Sequence, residues 1–132
     1  MNTDEHRWNA LTERIIGCVF AVSNELGCGF LEKVYENAMV VALRNAGLAV
    51  QQQVRFVVLY QGVEVDEYIA DLVVEGTILV ELKAVKAFDE VHTAQCINLL
   101  RVTKLPVCLL VNFAKPRAEI KRYMGVPSSP PT

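Results

Sequence analysis

Ile78-Leu79-Val80-Glu81-Leu82-Lys83-Ala84-Val85 is the stretch on which the reading of this chain turns. Its branched and apolar residues predict a strand. With a period of two, Leu79, Glu81 and Lys83 share one face while Ile78, Val80 and Leu82 share the other. A carboxylate and an ammonium thus point the same way inside a strand apolar enough to be central in a sheet. A charge in that setting is costly unless a partner or a cation compensates it. The plain alternative is a cross-strand ion pair on a solvated face.

The preceding segment, Tyr68-Ile69-Ala70-Asp71-Leu72-Val73-Val74, carries a second carboxylate in an apolar context. The turn between the two segments decides whether the acids meet. A two-residue turn at Glu75-Gly76 pairs Asp71 with Val80 and sends the acids to opposite faces. A three-residue turn over Glu75-Gly76-Thr77 sets Asp71 opposite Glu81, with Cβ atoms roughly 4.5–5.5 Å apart. Carboxylates that close repel, and a divalent cation between them is the natural occupant.

Working outward, Leu11, Ile15, Val19, Val22 and Leu26 recur at helical spacing and predict a first helix over about 3–26, stopped by Gly27-Cys28-Gly29. A second helix follows, with Leu31, Val34, Tyr35, Ala38, Leu43 and Ala46 on its apolar side and Gly47 as its stop. Strands are expected over 48–60, 63–74 and 78–85, with turns at Gln61-Gly62 and Glu75-Gly76. Asp89 can cap a third helix to about Arg101, limited by Pro106. The apolar run 107–113 reads as a strand covered on both faces. Residues 118–124 are ambiguous. The expected fold is α+β, an α/β sandwich with a mixed sheet flanked by helices in the order α-α-β-β-β-α-β. Residues 1–124 form a single domain in this reading, and 125–132, rich in Pro and Ser, a disordered tail.

Composition narrows the classes. With 52% hydrophobic and 21% charged residues in 132, disorder and coiled coil are excluded. The longest uncharged apolar runs fall well short of the ~20 residues of a membrane span. The first residues show no basic region leading into an apolar stretch, so a cytoplasmic protein is expected. Net charge is −2, against a protein that grips nucleic acid over its whole surface. The charge is uneven, however. Residues 1–90 hold 7 Lys and Arg against 14 Asp and Glu, while 91–132 hold 6 against 1. Lys115, Arg117, Lys121 and Arg122 could form a basic rim for a phosphate backbone. Cys18, Cys28, Cys96 and Cys108 lack metal-ligand spacing and read as reduced and mostly buried.

Gly29-Phe30-Leu31-Glu32-Lys33-Val34-Tyr35 spells GxxExxY. Asp71, Glu81-Leu82-Lys83, Gln95 and Leu109-Leu110-Val111-Asn112-Phe113 follow it in order. On these residues the chain resembles the GxxExxY proteins of the PD-(D/E)XK nuclease-like superfamily, over about residues 10–124. Two positions depart from the superfamily pattern. Ala70 stands where a proline usually precedes the first acid, and Leu99 where an aromatic usually follows the helix glutamine by four.

The resemblance implies a role for each residue. Asp71 and Glu81 look like the metal-binding carboxylates, with the main-chain carbonyl of Leu82 as a further oxygen ligand. Glu32 looks like an additional acid, binding metal directly or through water. Lys83 looks like the residue that orients the attacking water and stabilises charge at the phosphate, and Gln95 like the helix residue facing the site. Hard oxygen ligands with retained waters suit Mg²⁺ or Mn²⁺. The function implied is metal-dependent hydrolysis of phosphodiester bonds in DNA or RNA, with a homodimer as one way to engage two strands. The alternative is a nuclease-like domain kept as a nucleic-acid-binding or protein-interaction module without cleavage. Nearby, Tyr35 reads as a packing residue whose hydroxyl steadies the site. His92 reads as a solvated helix residue, and Glu64, Asp66 and Glu67 as solvated strand positions.

Overall fold

The computed structural model describes residues 3–125. The two N-terminal helices are α1 (Thr3–Leu26) and α2 (Glu32–Asn45). Gly27 (φ 69°) closes α1, its N–H donating to Ser23 O. Gly47 (φ 80°) closes α2, where the N–H groups of Gly47 and Leu48 return to Arg44 O and Leu43 O. Then come β1 (Val50–Tyr60), β2 (Val63–Val74), β3 (Ile78–Lys83), α3 (Glu90–Thr103), β4 (Val107–Asn112) and β5 (Glu119–Met124). The ambiguous C-terminal segment is therefore a fifth strand. Gly125 of the expected tail is tied to the start of β4, its N–H donating to Pro106 O at 2.7 Å. The remainder of that tail lies outside the described residues.

The strands lie in the order β1-β2-β3-β4-β5. All neighbours are antiparallel except β3 and β4, which run parallel and are joined by the α3 crossover. Helices cover both faces of the centre. On one, Ile15 and Val19 of α1 and Met39 and Leu43 of α2 pack against Leu72, Val80 and Leu109. On the other, Cys96, Leu99 and Leu100 of α3 pack against Leu79, Cys108 and Leu110. Covered twice, β4 is buried at all six positions, as its unbroken apolar run predicts.

Two details depart from the sequence reading. The buried side of α2 is Tyr35, Glu36, Met39, Val40 and Leu43, whereas Leu31 is 81% exposed and Val34 also faces out. The third strand ends at Lys83 rather than Val85. The buried Asn112 side chain takes the main chain of Val85 from both sides, accepting from its N–H at 3.1 Å and donating to its carbonyl at 2.7 Å. These side-chain bonds tie the segment after Lys83 to the end of β4 in place of ladder pairing. Of the cysteines, Cys18, Cys96 and Cys108 are buried and Cys28 is exposed, and all four are free. Among the described residues no helix is long and apolar enough to cross a membrane.

Candidate active site

The turn between β2 and β3 is the three-residue one. Glu75 (φ 54°) and Gly76 (φ 60°) turn the chain, Thr77 N–H donates to Val74 O, and pairing resumes at Val74 with Ile78. The ladder continues through Val73–Leu79 to Leu72–Val80 and stops there. One step further, where Asp71 and Glu81 would pair, side chains replace main-chain bonds. The Asp71 N–H donates to Glu81 Oε2 at 2.9 Å, and the Leu82 N–H donates to Asp71 Oδ2 at 2.8 Å. Each acid thus bonds the backbone of the opposite strand. The two strands part at this point without leaving these amides unpaired.

This arrangement commits one oxygen of each carboxylate. The other oxygen of Glu81, Oε1, is buried and has no hydrogen-bond partner, in a residue of 0% exposure. Burial, and then the charge of Asp71, push the Glu81 carboxyl up to about 9. At neutral pH with nothing bound it therefore holds a proton. With one buried oxygen unpartnered and the charge of Asp71 close by, Glu81 could take up a cation only by giving up that proton.

Glu32 opens α2 and reaches the same place. The Ala84 N–H just beyond β3 lies close enough to its carboxylate to favour the ionised form. Partial burial raises its pKa, the nearby Lys83 ammonium lowers it, and Asp71 raises it again. Three chain segments therefore bring Glu32, Asp71, Glu81 and Lys83 within electrostatic reach. Tyr35 fixes the approach of α2. Its hydroxyl donates to Gly27 O at 2.6 Å and accepts from Phe30 N–H at 3.2 Å, and its ring stacks on Phe113 at 4.6 Å. GxxExxY is in this sense a mechanical unit, in which the tyrosine anchors the loop that delivers the glutamate.

The α3 side is less direct. Cys96, buried beside Cys108, contributes to the electrostatic surroundings of Glu81. Gln95, one residue earlier and half-buried, makes no direct hydrogen bond to either acid among the described residues. Leu99 is fully buried in the core beneath α3. His92 is not a solvated residue. It is half-buried, its Nδ1 accepts the Asp89 N–H at 3.2 Å, and it completes a capping box for α3. The basic residues do not line one rim. Arg117 lies over the Phe20 ring of α1 and Arg122 donates to Asn9, whereas Lys121 sits over Phe88 on the α3 side. Strand alternation in β5 sends Lys121 and Arg122 to opposite faces. Lys121, paired to Leu110, which in turn pairs to Glu81, lies on the sheet face of Glu81 two strands away.

Asp71 and Glu81 fit a hard divalent cation, since the orphaned Oε1 supplies an acceptor with nothing else to satisfy it. No group of three or more His, Cys, Asp or Glu side chains is gathered for a metal among the described residues. The protein's side chains therefore offer two carboxylates, leaving further positions to main-chain oxygen and water, as suits a hard divalent cation.

Sequence reasoning gave no role to two residues at this site, although Glu36 shares the face of Glu32 at i+4. Glu36 is buried (6% exposed), and its carboxylate accepts from Gln52 Nε2 at 2.7 Å, Gln53 Nε2 at 2.8 Å and Lys33 Nζ at 2.9 Å. Gln53 Nε2 also lies 3.4 Å from Asp71 Oδ1. The run Gln51-Gln52-Gln53 at the entry to an otherwise apolar strand was the available signal.

Compared with known proteins, residues 9–123 match the profile of the PD-(D/E)XK nuclease superfamily. Neither a curated protein nor a solved structure matches the chain.

Proposed function

The chain belongs to the PD-(D/E)XK nuclease superfamily, and on that premise we propose that it is a metal-dependent nuclease of the GxxExxY type, hydrolysing phosphodiester bonds of DNA or RNA inside the cell. The observation that carries this reading is the crossed pair of acids. Asp71 and Glu81 each give one oxygen to the opposite backbone, and Glu81 keeps a buried oxygen with no partner. A module that only bound a partner would gain nothing from two acids whose proximity forces one to hold a proton.

Asp71 and Glu81 are the residues that would hold Mg²⁺ or Mn²⁺, with the Leu82 carbonyl as a further oxygen and Glu32 acting through water. What a divalent cation supplies in such a site is positive charge at the phosphate as water adds to phosphorus and a bridging P–O bond breaks. Lys83 does the positional work beside it. An ammonium offers donors only, so it serves the entering water and a phosphate oxygen rather than the cation. Its charge also favours the ionised form of Glu32. Gln95, on α3, would contact substrate. Of the basic residues, Lys121 is suited to an adjacent phosphate, because it shares the sheet face of Glu81. A homodimer would offer one such site to each strand of a duplex.

Calorimetric titration of wild type and Asp71→Ala with Mn²⁺, alongside a panel of single- and double-stranded DNA and RNA, tests this reading. Wild type should bind Mn²⁺ and cut at least one substrate, and Asp71→Ala should do neither. Binding of nucleic acid without cleavage at any metal concentration would replace the nuclease with a binding module.

A further inference from the structure

Gln53 stands near the start of β1 with φ 51°, a left-handed conformation that non-glycine residues rarely hold within a strand. Register places it opposite Asp71. Pairs run from Val50–Val74 to Gln52–Leu72 and resume at Val54–Ala70, and the skipped step is Gln53–Asp71. Both strands change face across that step. Val50, Leu72 and Val74 belong with the core under α1 and α2, whereas Val54, Phe56, Tyr68 and Ala70 belong with the core under α3. The strained residue and the metal-site acid therefore occupy the same irregularity.

The Gln53 side chain accounts for it. Its amide nitrogen carries two hydrogens, and two carboxylates lie in reach, Glu36 Oε1 at 2.8 Å and Asp71 Oδ1 at 3.4 Å. Glu36 fixes which way the amide faces, since its Oε1 accepts from the Gln53 amide nitrogen while its Oε2 accepts from Gln52 and Lys33. Glu36 is itself held by Gln52 and Lys33, so the lock does not swing. Oδ2 of Asp71 is already bonded to Leu82 N–H, and Gln53 is the neighbour of its other oxygen.

From this geometry we infer that Gln53, locked by Glu36, is a positioning residue that holds the free oxygen of Asp71 in place for the cation. The inference rests on the nuclease reading above. A neutral double donor is the side chain this task requires. A lysine there would neutralise Asp71 and compete with the cation, and a glutamate would add a third repelling charge. Backbone strain persists where the surroundings over-determine it, and such residues cluster at functional sites.

The test compares wild type, Gln53→Gly and Glu36→Gln by Mn²⁺ calorimetry and by melting in EDTA. Glycine removes the amide and relieves the left-handed backbone, so Gln53→Gly should melt no lower than wild type. It should nevertheless bind Mn²⁺ about tenfold more weakly, the loss typical of removing a group that orients a metal ligand. Glu36→Gln should weaken Mn²⁺ in the same direction, because its side-chain amide no longer fixes that of Gln53. Unchanged Mn²⁺ affinity in Gln53→Gly would overturn the inference and leave the nuclease reading standing. So would a fall in its melting temperature large enough to account for the lost affinity. Absence of Mn²⁺ binding in wild type would remove the nuclease reading, and this inference with it.

Discussion

Strands β2 and β3 meet in two ways within a few residues. From Val74–Ile78 to Leu72–Val80 they form an ordinary antiparallel ladder whose side chains feed the two cores. From Asp71 and Glu81 onward, carboxylates take the place of carbonyls as acceptors for the opposing amides. The ladder half is satisfied within the sheet and holds the fold. The half bonded by side chains lets the strands part, and leaves Glu81 Oε1 without a partner and Asp71 Oδ1 with only the distant amide of Gln53. A sheet can thus end its pairing at a chosen step without orphaning backbone groups, provided acids stand at that step. What remains unsatisfied is moved to a single carboxylate oxygen, where a cation can satisfy it.

Shortening the turn should damage both halves at once. Deleting Thr77 returns the hairpin to a two-residue connection and turns one acid toward the α1–α2 core, because a one-residue slip exchanges the faces. Burying an unpaired charge there costs about 3–5 kcal/mol, a large share of a domain's stability. Urea unfolding should show that loss, and Mn²⁺ binding should vanish. A deletion variant that melts like wild type and still binds Mn²⁺ would mean that turn length does not set the meeting of the acids.

Removing the ammonium should affect only the open half. Lys83→Ala should lower turnover by about 10²–10⁴-fold, the range for a positioned group acting on a proton or a developing charge. Folding and Mn²⁺ affinity should be preserved, or affinity slightly raised, since one positive charge is gone. Equal cleavage by variant and wild type would remove Lys83 from the chemistry.

The mildest change sharpens the contrast through pH. The Glu81 carboxyl is raised in the fold to about 9 from an ordinary 4.5. Its contribution to stability is therefore fully present below about pH 4.5 and is lost as pH rises toward 9, where the folded state must ionise it or keep its proton at increasing cost. In EDTA, Glu81→Gln should remove that decline and be the more stable of the two at pH 8. The two should converge near pH 4.5. Saturating Mn²⁺ should restore the advantage of wild type at pH 8, because a ligand of the folded state stabilises it. Parallel pH profiles in EDTA would show that Glu81 is not held protonated.

How much of this was legible beforehand depended on the range of the interaction that encoded it. Helix stops at Gly27 and Gly47, the Asp89 cap and the doubly covered β4 all follow from a few consecutive residues. The two possible turn lengths were also legible, and with them the two possible arrangements of the acids. Glu36 was not. On α2 alone it resembles a surface charge one turn after Glu32, and only β1 lying across it brings in Gln52 and Gln53. His92 was misread for a related reason. Its side chain turns back on its own helix start, a choice its residue type does not dictate.

The amino-acid sequence alone determined the order of the elements and the presence of Asp71, Glu81 and Lys83 in apolar strands, because periodicity and turn chemistry act over neighbouring residues. The tertiary structure decided the rest. It selected the three-residue turn, crossed the acids onto each other's backbone, twisted Gln53 out of β1 toward Asp71, and divided Arg117 and Arg122 from Lys121 across the sheet. Each of these is a contest for a partner among groups distant in the chain. Burial settles such contests, because only inside the fold does an unpaired amide or carboxylate become expensive enough to dictate where its neighbours go.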